Sequence, residues 1–316
     1  MKQKKKILTI VIASLCVLLI AGGAFWGIRS YLKNKISFTV NDTLVDGEGK
    51  KARVILLGGQ SNASGCSNKI YLEQNVSGME FEEYVNGYDN VHINYFVSGA
   101  HESNGFVKCV VGQGEAGGYF GPELGLAEKL SEMYPDEQFF IIKYAWGGTN
   151  LYDQWLSPSS EGKTGKLYRA FVAFVEASME YLVEKNYDVS IEGMCWMQGE
   201  SDSFSTGDAG AYGEHLSNFI ADIRERFHEY ADDDGIAFID AYIADNPMYW
   251  VYCDIVNEQK RVVAEQSPMN VLIDTIAAGL SCSAEPPETP DMAHYDSLSE
   301  IKLGHMFAEA VAAFFD

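Results

Sequence analysis

The chain has few cysteine, proline and basic residues, and these shortages exclude several classes of fold and function. Of its 316 residues, 6 are cysteine and 8 are proline. So few cysteines exclude a disulfide-dense scaffold, and no Cys-x-x-Cys pair is present to bind a metal ion. The five cysteines beyond residue 36 allow at most two bridges, and the sequence does not give their pairing: Cys66, Cys109, Cys195, Cys253 and Cys282.

Basic residues are outnumbered by acidic ones. There are 23 Lys and Arg against 45 Asp and Glu, for a net charge of −22. The first acidic residue is Asp42, and seven of the basic residues precede it, so the rest of the chain is more acidic still. This charge repels nucleic acid and acidic membrane surfaces, and it suits a domain that acts on neutral substrates. An alternative is that the acidic surface only keeps an exported protein soluble.

Long apolar runs are also scarce, apart from one at the N-terminus. Four lysines precede an uncharged stretch over residues 7–28, and three basic residues follow it. The stretch is long enough to span a bilayer, which takes about 20 residues. We expect residues 1–36 to be a cytoplasmic stub and single-pass membrane anchor, with the following domain outside the cytoplasm. The alternative is a signal peptide cleaved near residues 21–24, which would release a secreted protein.

The remaining chain alternates short apolar runs with amphipathic stretches. After a linker at 37–52, this pattern predicts one α/β domain over 53–316, with a central parallel sheet covered by helices on both faces. The predicted strands span 53–58, 91–96, 138–145, 190–197, 236–241 and 271–274. The predicted helices span 121–133, 166–185, 211–230, 256–266 and 297–314. Ligands of such sheets bind beyond the carboxyl ends of the strands.

A serine follows the first predicted strand. The sequence there is Gly58-Gly59-Gln60-Ser61, so the chain turns sharply on glycine and leaves the Ser61 hydroxyl at the open edge of the sheet. The motif is not the nucleophile elbow Gly-x-Ser-x-Gly, because Ala63 stands at the last position. An alternative is a glycine turn in which the serine only caps the next helix.

A carboxylate and an imidazole lie near the C-terminus. Asp291 precedes His294 by three residues just before the last predicted helix, so the two side chains are able to meet and leave Nε2 free to take a proton from Ser61. Two alternatives stay open. Asp274 or Asp296 is the partner carboxylate, or Asp291 caps the last helix and His294 is unpaired.

Two further strands end in polar or aromatic motifs. The fourth ends in WMQGESD at 196–202, where the Gln198 amide is a candidate oxyanion donor and Glu200 a group that holds it or a neighbouring loop. The third is followed by Trp146, Tyr152 and Trp155, whose flat rings suit the apolar faces of sugars. The alternatives are ordinary turn residues in the first case and core packing in the second.

Taken together, these blocks resemble the sialate O-acetylesterase-like branch of the SGNH/GDSL hydrolases, which includes bacterial acetyl xylan esterases. The blocks are GQSN at 59–62, FGPEL at 120–124, GGT at 147–149, WMQGESD at 196–202, and Asp291 with His294. The chain departs from the family in having Tyr295 where proline commonly follows the histidine, and in its long segment over 66–118.

The resemblance implies a flavodoxin-like three-layer α/β/α domain. It also implies Ser61 as nucleophile, His294 as base and Asp291 as its orienting acid. The oxyanion hole would be formed by the Ser61 backbone N–H, Gly121 and Gln198. The groups expected to support this site from behind are Gln60, Asn62 and Glu200.

The function expected from these observations is hydrolysis of O-acetyl esters on carbohydrates through an acetyl-enzyme. The partner is an acetylated oligo- or polysaccharide, and no metal or organic cofactor is required. Plant xylan, sialylated glycans and acetylated peptidoglycan all fit, and the anchor favours substrates near the cell envelope. A second hypothesis is a non-catalytic carbohydrate-binding module displayed at the cell surface.

Overall fold

A computed structural model describes residues 36–315 with the exception of residue 233. The predicted membrane anchor therefore lies almost entirely outside the described residues. Within the described part, no helix combines the length and the apolar character needed to cross a bilayer. All five cysteines in this part are free thiols.

The strands run in chain order from β1 to β10. Their bounds are β1 (Lys51–Gly59), β2 (Ser67–Asn68), β3 (Val91–Val97), β4 (His101–Glu102), β5 (Val107–Lys108), β6 (Tyr119–Phe120), β7 (Gln138–Ala145), β8 (Asp188–Met197), β9 (Ala237–Ala241) and β10 (Asn270–Ile273). The main sheet has the order β10-β9-β8-β1-β7-β3-β4, and β5 also pairs with β3. The pairs from β10 to β3 are parallel, and β4 and β5 pair antiparallel with β3.

The helices cover both faces of this sheet. They are α1 (Ser61–Ser64), α2 (Lys69–Asn75), α3 (Gly78–Asn86), α4 (Glu123–Met133), α5 (Lys166–Glu184), α6 (Thr206–Arg226), α7 (Cys253–Ala264) and α8 (Ser297–Ala312). On one face, Phe174 of α5 packs against Tyr144, and Phe219 of α6 packs against Trp196. Lys143, which precedes Tyr144, points to the opposite face and reaches Glu123 of α4.

On that opposite face, α4 and α8 approach closely because each helix has a glycine where it contacts the other. A Cβ atom on Gly125 would lie 2.1 Å from the Ile301 carbonyl oxygen, and one on Gly304 would lie 2.2 Å from the Pro122 carbonyl oxygen. The absence of side chains there allows α8 to sit directly on α4. As a result the N-terminal end of α8, which follows the His294 segment, is held beside the sheet edge.

The predicted α/β architecture with a mostly parallel central sheet is confirmed. All six predicted strands are present, and their ends agree with the structure to within two residues. The helix predicted over 211–230 starts earlier, at Thr206, because the Ser205 side chain accepts from the Asp208 N–H and caps it. It ends at Arg226, and residues 228–230 form a separate 3₁₀ turn.

Candidate active site

Ser61 lies at the carboxyl end of β1, the central strand. The turn before it depends on Gly59, whose φ is +138° and where a Cβ atom would lie 2.0 Å from the Met197 carbonyl oxygen. No other residue type fits this close contact between β1 and β8. Ser61 then begins the short helix α1, with 8% of its surface exposed.

The backbone around Ser61 leaves the Ser61 N–H available as a donor. The N–H groups of Ser64 and Gly65 bond to the Gln60 and Ser61 carbonyls. Within residues 36–315, no acceptor takes the Ser61 N–H, as expected for the first residue of a helix. This N–H is therefore a candidate donor to a developing oxyanion.

Asp291 and His294 are in direct contact. Asp291 Oδ2 lies 2.7 Å from His294 Nδ1, and the histidine ring is about one quarter exposed. The contact directs the Nδ1 side of the ring to the carboxylate and leaves Nε2 facing away from it. The rival carboxylates have other partners: Asp274 accepts from the Ala277 N–H, and Asp296 accepts from the N–H groups of Ala284 and Glu285.

The loop that carries this pair is fixed at both ends. At its start, the N–H groups of Ala284 and Glu285 donate hydrogen bonds to the Asp296 carboxylate. Glu285 in turn accepts from the backbone and hydroxyl of Ser297, the first residue of α8. These reciprocal bonds close the loop over residues 284–297 and set the height of His294 above the sheet.

Ser61 and His294 line the same cleft, which has a volume of about 510 Å³. Between the described residues there is no hydrogen bond from the Ser61 hydroxyl to the His294 ring. Catalytic hydrogen bonds are often long in the free enzyme and shorten only in the substrate complex. The arrangement thus places the two groups at one cleft without fixing their final contact.

Asn62 ties the segment of Ser61 to the segment of His294. Its Oδ1 accepts from the Tyr295 N–H at 3.1 Å, and its Nδ2 donates to Glu200 Oε1 at 2.8 Å. Ser67 adds a second tie by donating to the Tyr295 carbonyl oxygen at 2.6 Å. Asn62, Glu200, Ser67 and Tyr295 are all buried. Burial also raises the pKa of the Glu200 carboxyl above its usual value.

A second buried network lies behind Ser61. Gln60 Oε1 accepts from Gln198 Nε2 at 3.2 Å and from the Ser201 N–H at 3.2 Å. Gln198 Nε2 also lies 2.6 Å from Asp202 Oδ2 and 3.0 Å from the Thr149 carbonyl oxygen. Asp202 accepts from the N–H groups of Leu151 and Tyr152, so the loops after β7 and β8 are joined through it.

The other two predicted oxyanion donors have acceptors away from the cleft. Gln198 is fully buried, and its amide hydrogens are directed to the inward acceptors just described. The Gly121 N–H donates to Glu123 Oε1 at 2.9 Å inside the α4 face. Neither residue lines the cleft of Ser61. The glycines that do are Gly147 and Gly148, which follow β7 next to β1.

Of the three aromatic residues predicted to contact the substrate, only one lines the cleft. Trp146 lines the cleft, whereas Trp155 is completely buried and donates its Nε1 hydrogen to Thr149 Oγ1. Trp155 packs edge-to-face on Trp196, so it is a core residue. Tyr152 is half exposed, packs beside His215 and does not line the cleft.

Among the residues that line the cleft, the sequence reasoning misses two aromatic side chains, Phe204 and Trp250, and one carboxylate, Glu115. The rings of Phe204 and Trp250 pack against each other in a tilted arrangement, with their centroids 5.6 Å apart, and Glu115 lies near Ser61. Phe204 lies two residues after the WMQGESD motif, and Trp250 stands in an aromatic cluster, so weak signals exist for both. Glu115 lies in a glycine-rich segment without regular structure, and the sequence gives no signal for it.

Comparisons with known proteins agree with this fold. The model of a family described as carbohydrate esterase, sialic acid-specific acetylesterase, matches residues 51–313. A structure from Arabidopsis thaliana is 19% identical with a TM-score of 0.61, over 84% of this chain and 99% of that chain. The structure of NanS is 16% identical with a TM-score of 0.63, over 84% and 98%. A carbohydrate acetylesterase from Xanthomonas citri is 17% identical with a TM-score of 0.55, over 83% and 56%.

At these identities the solved structures show the likeness of the fold alone, and no curated protein matches. The family match, however, covers most of the chain. Together with the fold it defines a carbohydrate O-acetylesterase. The chain belongs to the sialic acid-specific acetylesterase family of carbohydrate esterases, and the resemblance predicted from the sequence is confirmed.

Replacing Asn62 by alanine tests the tie between the two segments. The change leaves the buried Tyr295 N–H without an acceptor, so we expect a loss of about 1–3 kcal/mol of unfolding free energy. A histidine segment displaced by about 1 Å should also lower kcat by roughly 10²-fold. Both quantities are measured by chemical unfolding and by hydrolysis of p-nitrophenyl acetate.

The matched control is Asn270→Ala, at the opposite edge of the sheet. Asn270 also makes one donated and one accepted hydrogen bond, to the Val263 carbonyl and from Arg224. Its loss should lower stability and leave kcat unchanged. An equal fall in kcat in the two variants would show that Asn62 acts only through general stability.

Asp202 should give the chain a characteristic pH dependence. Burial raises the pKa of Asp202 from 3.8 to about 6, against the opposing effect of its hydrogen bonds with Gln198, Leu151 and Tyr152. Because the folded state holds this proton more tightly, the resulting stability is present below about pH 4 and is lost as the pH rises through about 6. The unfolding free energy of wild type relative to Asp202→Asn should fall by up to about 3 kcal/mol between pH 4 and pH 7. A difference that stays constant across this range in urea titrations would contradict the assignment.

Proposed function

We propose that the chain is a serine esterase that removes acetyl groups from carbohydrates, with Ser61 as nucleophile, His294 as general base and Asp291 as the acid that orients it. The observation that carries the proposal is the convergence of Ser61 and the paired His294 on one cleft. The buried tie through Asn62 supports it, because it holds the two segments together across 233 positions of sequence.

In the proposed acylation step, Ser61 Oγ attacks the acetyl carbonyl carbon and passes its proton to His294 Nε2. Asp291 stabilises the imidazolium that forms. The tetrahedral intermediate then collapses, the bond to the sugar oxygen breaks, and His294 returns the proton to that oxygen. The sugar leaves as an alcohol, and the acetyl group stays on Ser61.

In the second step, water attacks the acetyl-enzyme while His294 takes its proton, and acetate leaves as the proton returns to Ser61. In this proposal the oxyanion of both steps accepts a hydrogen bond from the Ser61 N–H. In place of Gly121 and Gln198, the Gly148 N–H is the proposed second donor, because Gly148 lines the cleft next to Ser61, whereas the Gly147 N–H donates to Ser98 Oγ.

The walls of the cleft suit a sugar ring. Trp146, Phe204 and Trp250 present aromatic surface near the nucleophile, and Phe204 is 59% exposed. Flat apolar rings beside hydrogen-bonding groups are favourable for the apolar faces of pyranoses. This supports acetylated oligo- or polysaccharides as substrates. Xylan, acetylated peptidoglycan and sialylated glycans remain alternatives within this class.

The nucleophile is tested by Ser61→Ala with Ser64→Ala as its matched control in the same short helix. We expect Ser61→Ala to lower turnover of p-nitrophenyl acetate by about 10⁴-fold or more. Ser64 Oγ is buried and has no partner among the described residues, so Ser64→Ala should keep the activity.

A fluorophosphonate probe gives an independent readout for the same variants. It should label wild type and Ser64→Ala and should not label Ser61→Ala. Retained labelling of Ser61→Ala would refute the nucleophile. Absence of both labelling and hydrolysis in wild type would favour a non-catalytic carbohydrate-binding module.

We also propose that residues 1–36 anchor the esterase in the membrane, with the domain outside the cytoplasm. The support is the uncharged run over residues 7–28 between two basic clusters. In cells that express the full chain, the protein should stay in the membrane fraction after an alkaline carbonate wash, and a chain lacking residues 1–36 should not. Recovery of a soluble protein whose N-terminus falls near residues 21–25 would show signal cleavage instead.

A further inference from the structure

The depressions around the candidate nucleophile contain carboxylates and lack cations. Glu115 lines the cleft of Ser61, and Glu285 and Asp291 line a neighbouring depression of about 350 Å³ on the other side of His294. No lysine or arginine in the described part of the chain lines either depression. Both are therefore acidic surfaces.

Glu115 is held in place next to the nucleophile. The Ser98 hydroxyl donates to Glu115 Oε1 at 2.8 Å and accepts from the Gly147 N–H at 3.1 Å. Ser98 has a φ of +49°, a left-handed conformation that is uncommon for serine and is often found at functional sites. A Cβ atom on Gly147 would lie 2.6 Å from Glu115 Oε1 and 3.7 Å from Ser61 Cβ, so the carboxylate and the nucleophile flank the same glycine.

The basic residues nearest to this region in the fold are occupied or directed elsewhere. Lys143 is completely buried in an ion pair with Glu123, and Lys260 is buried in an ion pair with Asp240. Lys69 lies outside both depressions, where its Cε approaches Gly118. None of the three lines either depression.

The carboxylates around the two depressions also act on the neighbouring Cys66 thiol. The Cys66 thiol lines both depressions, and burial raises its pKa far above the usual value. The charges of Glu115, Glu300 and Asp291 raise it further, and the charge of Lys143 opposes them. A carboxylate brought in by a substrate would meet the same repulsion.

We propose that Glu115 makes this cleft selective for O-acetylated sugars that carry no carboxylate, so that sialates are poor substrates for this member of the family. The inference rests on the proposed function and adds the substrate class to it. Sialic acids carry a carboxylate on the pyranose ring, so packing of that ring against the aromatic walls of the cleft would bring a second negative charge toward Glu115. An uncharged sugar instead offers hydroxyl donors to the Glu115 oxygens.

The test uses the full chain and two substrates that differ only in charge, 9-O-acetyl-N-acetylneuraminic acid and its C1 carboxamide. An acetylated xylo-oligosaccharide serves as the neutral reference, and acetate release is measured for all three. We expect wild type to show a kcat/KM about tenfold or more higher for the carboxamide than for the acid, and this ratio should shrink as salt is added. Glu115→Gln should bring the ratio close to one by raising kcat/KM for the acid.

Two control variants separate local from general charge effects. Glu184→Gln removes an exposed carboxylate at the far end of α5 and should leave the ratio unchanged. Lys69→Gln should also leave it unchanged, whereas a selective loss of activity on the acid would show that Lys69 binds the sialate carboxylate and would overturn the proposal.

Three other results would overturn it. These are equal or faster turnover of the acid by wild type, an unchanged ratio in Glu115→Gln, and cleavage of the xylo-oligosaccharide with neither sialate form accepted. Absence of hydrolysis of every substrate, including p-nitrophenyl acetate, would instead refute the proposed function itself, and the selectivity with it.

Discussion

The site depends on one buried side chain, Asn62, which joins three separate parts of the chain. Its amide accepts from the Tyr295 backbone and donates to Glu200, so β1, β8 and the segment before α8 meet at a single group. In a buried environment each of these hydrogen bonds is costly to leave unmade. The position of His294 relative to Ser61 therefore follows from satisfying these polar groups.

Behind Asn62, a second set of buried hydrogen bonds joins the loops at the edge of the sheet. Gln60, Gln198 and Asp202 share hydrogen bonds that join the loops after β1, β7 and β8, and all three side chains are buried. A network of this kind rigidifies the edge, because loss of one member leaves the others unsatisfied. It also explains why Gln198 faces inward, since its amide hydrogens complete the network and are not available to the cleft.

Charged residues are arranged differently in the interior of the domain and in its cleft. The buried lysines Lys143 and Lys260 each have a carboxylate partner, as buried charges require. The cleft, by contrast, is only partly buried, and Glu115 is stabilised there by one hydroxyl and by solvent. The family resemblance predicts an esterase, but the sign of the potential at the cleft depends on which charged residues the fold brings to it.

The sequence by itself determined the strand order along the chain, the serine after β1 and the spacing of Asp291 and His294. These are local features, set by hydrophobic periodicity, glycine turns and residues within one helical turn of each other. Only the tertiary structure decided that Gly121, Gln198 and Trp155 face inward, and that Phe204, Trp250 and Glu115 line the cleft. The physical reason is that burial and hydrogen-bond partners arise from contacts between distant segments, and the pattern of any one segment does not contain them.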